Sequence, residues 1–112
     1  MSHQQRVLFV CGRNRSRSPT AERVFAREPG LLVRAAGVHA SSVRVISSAD
    51  IAWADVIFVM ERSQQRLLTQ RFGSKLRGTV VHVLDIPDEY ALMDAELVEL
   101  LKLSVTPLLA LD

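Results

Sequence analysis

Strand and helix signals alternate along this sequence, four of each. That order predicts an α/β fold of three layers, α/β/α, with a four-stranded parallel sheet in the middle. Two observations carry the expectation. The runs Val7–Val10, Val56–Met60 and Val80–Leu84 are continuous, apolar and rich in Val, as strands covered on both faces are. The stretches between them place apolar residues at helical spacing and are bracketed by residues that start or stop helices.

The elements follow in order. After the first strand, Ser18 can cap a helix with Pro19 in its first position, and Ala21, Val24 and Phe25 share a face before Pro29-Gly30 stops it. A weaker strand signal, Leu32–Ala36, ends at Gly37. Ser47-Ser48-Ala49-Asp50 reads as a capping box for a short helix to about Ala54. Following the third strand, Ser63 can cap a helix carrying Leu67, Leu68 and Phe72, with Gly73 beyond its end. After the last strand, Asp94 can cap a helix with Leu97, Leu100 and Leu101 facing inward, ending before Pro107. In such sheets ligands bind outside the carboxyl ends of strands, where the strand order reverses. The loops to watch therefore begin at Cys11, Gly37, Glu61 and Asp85.

Length and composition narrow the function classes. A chain of 112 residues has room for one domain, residues 1–112, and 48% apolar with 23% charged residues is ordinary globular usage. Only Met1 to Gln5 are expected to lie outside the ordered part. No apolar run approaches the roughly 18 residues of a membrane span, and no cationic segment with an apolar core opens the chain. The single cysteine, Cys11, excludes an intramolecular disulfide, and three scattered His residues make no zinc site. An unpaired thiol suits a reducing compartment, so a cytoplasmic location is expected. Net charge is +2, but its distribution is polar: residues 1–45 hold eight Arg against Glu22 and Glu28, while residues 80–112 hold Lys102 against seven acids. Such asymmetry reads either as solvated faces of opposite sign or as an anion site on which the Arg residues converge.

The segment Cys11-Gly12-Arg13-Asn14-Arg15-Ser16-Arg17-Ser18-Pro19 joins the first strand to the first helix. A loop at a helix N-terminus offers unpaired N–H groups and the positive end of the helix dipole, which together suit phosphate or a similar oxyanion. Gly12 and Asn14 tolerate the positive φ that such a loop needs. Arg17 lies six positions after Cys11. Wrapped round an anion, both can face the same centre, and the guanidinium fork can grip two oxygens. A thiol in an electropositive cradle is favoured as the thiolate, which is the nucleophile. Read as a nucleic-acid patch, Arg13-Asn14-Arg15-Ser16-Arg17 fails: it is a tight loop without interleaved aromatic residues for base stacking.

The run Cys11-x-x-Asn14-x-x-Arg17-Ser18-Pro19-x-Ala21-Glu22 resembles the phosphate-binding loop of the low-molecular-weight protein tyrosine phosphatases. Thioredoxin-coupled arsenate reductases share that fold and loop. The resemblance extends to Ala36-Gly37, to the pair of elements in Ser47–Met60 and to the Asp/Pro segment after the last strand. It implies a hydrolase of phosphate monoesters, protein phosphotyrosine foremost, working through a phosphocysteine on Cys11. Arg17 and the amides of Gly12, Arg13, Asn14, Arg15, Ser16 and Ser18 would hold the phosphate. Ser18 would hydrogen-bond the sulfur, and Asn14 would support the loop. A carboxylic acid would protonate the leaving oxygen, and no metal or other cofactor would be needed. The family has Asp directly before Pro and an aromatic residue; this chain reads Asp85-Ile86-Pro87-Asp88-Glu89-Tyr90, which leaves Asp85, at the strand end, or Asp88 as the acid. The expected partner is a phosphorylated protein or a small phosphoester, with neither nucleic acid nor membrane.

Three departures stand out. Arg13 replaces the family's usual glycine, Ser16 stands where a second cysteine is frequent, and Val38–Ile46 contains no aromatic residue to line a phosphotyrosine rim. Tyr90 and Trp53 are the rings left for that rim, and Trp53 reads better as core. Arg13 and Arg15 would then favour a more anionic substrate or a docked protein. Two other readings stay open: an arsenate reductase using an external thiol, and a module that binds phosphate or a phosphoprotein without turnover.

Overall fold

The computed structural model describes residues 4–110. Its elements run β1 (Gln5–Cys11), α1 (Arg17–Phe25), β2 (Leu31–Gly37), α2 (Ser48–Trp53), β3 (Val56–Val59), α3 (Arg62–Phe72), β4 (Val80–Val83) and α4 (Ala95–Val105). The four strands form one parallel sheet in the order β2-β1-β3-β4. Side chains of β1 alternate between two cores. Val7, Phe9 and Cys11 face α1 and α4, packing with Phe25, Phe58, Leu97 and Leu101. Leu8 and Val10 face the other layer, packing with Ile51, Ile57, Val59 and Leu68. This is the three-layer α/β/α arrangement that the continuous apolar runs foretold, because both faces of the central strands are dry.

From β1 the chain crosses to β2 on one side; from β3 it proceeds to β4 on the other. The order therefore reverses between β1 and β3, and the loops that leave these two strands meet at the carboxyl edge. Among the described residues no helix is long and apolar enough to cross a membrane.

Several expected boundaries move. Gln5 belongs to β1, its N–H bonded to the Gly30 carbonyl at 2.8 Å and its Oε1 accepting from the Ala110 N–H at 3.0 Å, so the ordered part starts earlier than composition implied. His3, placed by sequence in a loose terminus, lies outside the described residues. Helix α1 begins at Arg17, with Ser16 in the cap position and no side-chain cap. Ser18 is not the cap, because its hydroxyl is drawn into the loop below. Pro19 consequently sits third in the helix, where an N–H would still lack an intrahelical acceptor. Helix α3 is capped by Glu61, not Ser63, in a reciprocal box with Gln64, whose Oε1 accepts from both Met60 and Glu61 N–H at 2.9 Å. The Ser47–Asp50 box of α2 and the Asp94 cap of α4 form as expected.

Candidate active site

The loop between β1 and α1 closes round the Cys11 sulfur. Sγ lies 3.0 Å from Ser18 Oγ and accepts from the Asn14 backbone N–H at 3.2 Å. Ser18 Oγ donates in turn toward Asn14 Oδ1 at 2.8 Å. Asn14 holds φ at 55°, a conformation its short polar side chain tolerates. Neither Gly12 nor Arg13 has positive φ, so the loop makes its turn at Asn14 and has no need of glycine at position 13.

Carbonyl groups of this loop point away from the sulfur. Those of Cys11, Gly12 and Arg13 accept from the N–H groups of Val38, His39 and Val43 at 3.1, 2.9 and 3.2 Å. Ser42 Oγ donates to the Gly12 carbonyl as well. Across a trans peptide the N–H lies opposite the C=O. The amides of Gly12, Arg13 and Asn14 thus point away from the segment 38–46, the Asn14 N–H onto the sulfur, and that segment is the brace that orients them. Gly37, where that segment begins, has no room for a side chain: a Cβ there would lie 2.2 Å from Ser42 Oγ and 2.8 Å from the Asn14 nitrogen.

Arg17 is 3% exposed. Its Nη1 donates to Glu61 Oε1 and to the Ile86 carbonyl, both at 2.7 Å. Its Nε is buried and, among the described residues, has no hydrogen-bond partner; Asp88 Oδ1 stands 3.7 Å away. A buried donor without an acceptor is rare in proteins and marks a place where a ligand atom fits. Arg17, Cys11, Arg13, Arg15, Ser16 and Asp88 line one cavity of about 240 Å³. A groove of about 320 Å³ adjoins it, sharing Arg13, Arg17 and Asp88 and adding Gly12, Val38, His39, Glu61, Ser63, Gln64 and Leu67.

The structure thus brings Cys11, Arg13, Arg15, Ser16, Arg17 and Asp88 together at one cavity, with Gly12 in the groove and Asn14 and Ser18 behind the sulfur. Asp85 is not among them. It is exposed, holds φ at 56° in the turn after β4 and lines neither space. Ile86, between the two acids, is buried and pinned by its N–H to the Met60 carbonyl at 2.9 Å, which presents Asp88 three residues after the strand-end acid. Glu61 received no role from the sequence, although its loop was marked; its position at the carboxyl end of β3 was the available signal. Trp53 packs against the core and takes Arg34 over its ring at 4.2 Å, and His82 stacks on Phe58 at 5.3 Å, so neither reaches the site. Tyr90 packs against the α1/α4 core. Partial burial, then the carboxylates of Glu96, Glu89 and Asp94, hold its phenol above the ordinary value. Among the described residues no group of three His, Cys, Asp or Glu is placed to hold a metal ion.

No protein-family model matches the sequence, and no curated protein matches it. Solved structures do match. The tyrosine phosphatase Wzb from Escherichia coli K30, in complex with phosphate, is 23% identical over 94% of this chain and 96% of that one, with a TM-score of 0.74. Wzb from Vibrio vulnificus, in complex with benzylphosphonate, is 24% identical over 93% and 96%, with a TM-score of 0.75. The YwlE arginine phosphatase from Geobacillus stearothermophilus is 22% identical over 93% of each chain, with a TM-score of 0.71. The chain therefore has the fold of the low-molecular-weight phosphatases, as the loop motif implied.

Proposed function

We propose that this protein is a cysteine-dependent, metal-independent hydrolase of phosphate monoesters. One observation carries the reading: the buried, unpartnered Nε of Arg17 at the cavity that also holds the Cys11 sulfur. A phosphoryl group seated there supplies the missing acceptor and meets the inward amides of the loop. Its equatorial oxygens are then held by Arg17 and those amides while Sγ attacks phosphorus from below. The S–P bond forms as the P–O bond to the leaving group breaks, and Asp88 gives its proton to the departing oxygen. Water then attacks phosphorus, Asp88 takes a proton from it, and phosphate leaves with both electrons of the S–P bond returned to sulfur. Donors fixed before the reaction stabilise the developing charge without reorganising. Glu61 and the Ile86 carbonyl hold Nη1, which leaves the Nε edge of the guanidinium for substrate.

The choice of Asp88 as acid rests on its place in the cavity wall and its 3.7 Å separation from Arg17 Nε. Solved neighbours in complex with phosphate and benzylphosphonate support an oxyanion as the ligand. Phosphotyrosine has no evident advantage. Phe9, Phe25, Phe58 and Tyr90 belong to one core, Trp53 and Phe72 to the other, and none lines the cavity or groove. The substrate class is therefore phosphate monoesters without a demand for an aromatic ring.

Hydrolysis of p-nitrophenyl phosphate and phenyl phosphate tests the reading. Wild type turns over both, and Cys11→Ser turns over neither. Asp88→Asn slows phenyl phosphate about 10²-fold, within the usual range for a general acid, and slows it far more than Asp85→Asn does. Thiol-dependent reduction of arsenate without phosphoester hydrolysis would overturn the assignment, as would an unreactive wild type that binds phosphate.

A further inference from the structure

Two guanidinium groups at the cavity have no part in that mechanism. Arg13 and Arg15 flank Asn14, whose side chain turns inward to Ser18. Both are exposed, yet both line the cavity that contains the sulfur. Among the described residues neither has an ion-pair partner, whereas Arg17, Arg34 and Arg44 each hold a carboxylate. Arg17 is buried and already balanced by Glu61 at 2.7 Å, so the positive charge of the mouth resides in the other two. Among the described residues, the one acid that lines the cavity with them is Asp88, which is 69% exposed.

A leaving group that emerges from the cup meets these charges and no Phe, Tyr or Trp ring. Resting on the hydrolase reading, we infer that Arg13 and Arg15 form a second anion-binding rim, and that the preferred substrates are phosphate monoesters whose leaving group bears its own negative charge. Arg13 and Arg15 precede and follow the turn at Asn14, and both line the cavity. A second phosphate or a carboxylate on the substrate can lie between them, while the scissile phosphate occupies the amide cup and Arg17. Exposed charges act through screened attraction, so the preference is moderate and depends on salt.

Phenyl phosphate, meta-carboxyphenyl phosphate and resorcinol bisphosphate test this with one ring and one kind of leaving oxygen. At low ionic strength, wild type prefers at least one of the two substrates with an added anion by about tenfold in kcat/KM, as two rim charges can supply. In the doubly substituted Arg13→Gln, Arg15→Gln protein that ratio falls toward one, and about 0.5 M salt lowers it in wild type. A preference for the bisphosphate alone identifies a second phosphate as the recognised group; a preference shared with the carboxylate identifies negative charge as such, of the sort an acidic peptide carries. A wild-type ratio near one, or a ratio unchanged in the variant, overturns the rim while leaving the hydrolase reading intact. A wild type inert on all three esters removes both.

Discussion

Two arginine–carboxylate clusters in this molecule are built from the same parts and finished differently. In one, Asp50 is 1% exposed and accepts from Arg44, from Arg34 at 3.2 Å and from the Ser47 N–H at 3.0 Å. Arg44 also donates to the Ala35 carbonyl at 2.8 Å. Burial alone would raise the Asp50 carboxyl, but the Arg44 hydrogen bond, the Ser47 backbone, the Arg44 charge and Arg34 outweigh it and hold it below the usual carboxylate range. In the other cluster Arg17 binds Glu61 and Ile86, and its Nε is left over. A carboxylate with all its partners has nothing more to bind and does structural work. A buried donor without an acceptor bears a desolvation cost that an incoming acceptor relieves.

Arg17→Met breaks the contrast with the largest effect. Removing the guanidinium should cost about 10³-fold in turnover of p-nitrophenyl phosphate, since loss of a single preorganised donor already costs 10²–10³-fold. It should also abolish the stabilisation by inorganic phosphate, which in wild type reaches about 2.7 kcal/mol at a hundred times Kd. Thermal unfolding with and without phosphate checks the second point, and a shift retained in the variant would place the anion elsewhere.

Gly37→Ala strikes the link between the clusters. Gly37 donates its N–H to the Arg44 carbonyl at 2.9 Å, and its α-carbon abuts Ser42 and the Asn14 nitrogen. A methyl group there collides with backbone that cannot step aside. A stability loss of about 1–3 kcal/mol is expected, typical of overpacking. Activity falls further than stability, because the brace that aims the loop amides moves. Urea unfolding beside steady-state kinetics separates the two.

Asp50→Asn gives the complementary result, with the smallest effect on activity. Losing one partner of a buried ion pair costs 3–5 kcal/mol; with Arg34 and Arg44 themselves 40% and 44% exposed, about 2 kcal/mol is expected. The phosphate-induced shift should survive. The pH dependence has a definite sign. Because folding lowers the Asp50 value, its contribution is complete above the ordinary carboxylate value and is lost as pH falls through the lower folded one. Wild-type stability should therefore drop on acidification more steeply than that of the variant, and parallel curves in urea titrations would refute the pairing.

The fold was legible because its signals are local. Val-rich runs of four or five residues, the Ser47 box and the Asp94 cap are readable within a turn or two of chain, and the structure keeps them. Cys11, Asn14, Arg17 and Ser18 likewise fall within eight residues of chain across the β1–α1 junction; Cys11, Asn14 and Ser18 are in mutual contact, and Arg17 lines the same cavity as Cys11. Local reading failed where a side chain had a distant use. Ser18 has the chemistry of a cap, but Cys11 and Asn14 claim its hydroxyl. Ser63 and Glu61 both suit the start of α3, and Gln64 decides for Glu61.

The sequence alone was enough for the alternation of elements and for the junction between β1 and α1 that carries Cys11 and Arg17. Packing brought Glu61, 44 residues from Arg17, and the Ile86 carbonyl, 69 residues away, onto Nη1 of the guanidinium and left Nε without a partner among the described residues. It also decided that Asp88, not Asp85, lines the cavity. The physical reason is topological. Strand order β2-β1-β3-β4 brings the ends of β1 and β3 side by side, and β4 lies next to β3. Separation along the chain carries no trace of that order; the packing of both sheet faces creates it.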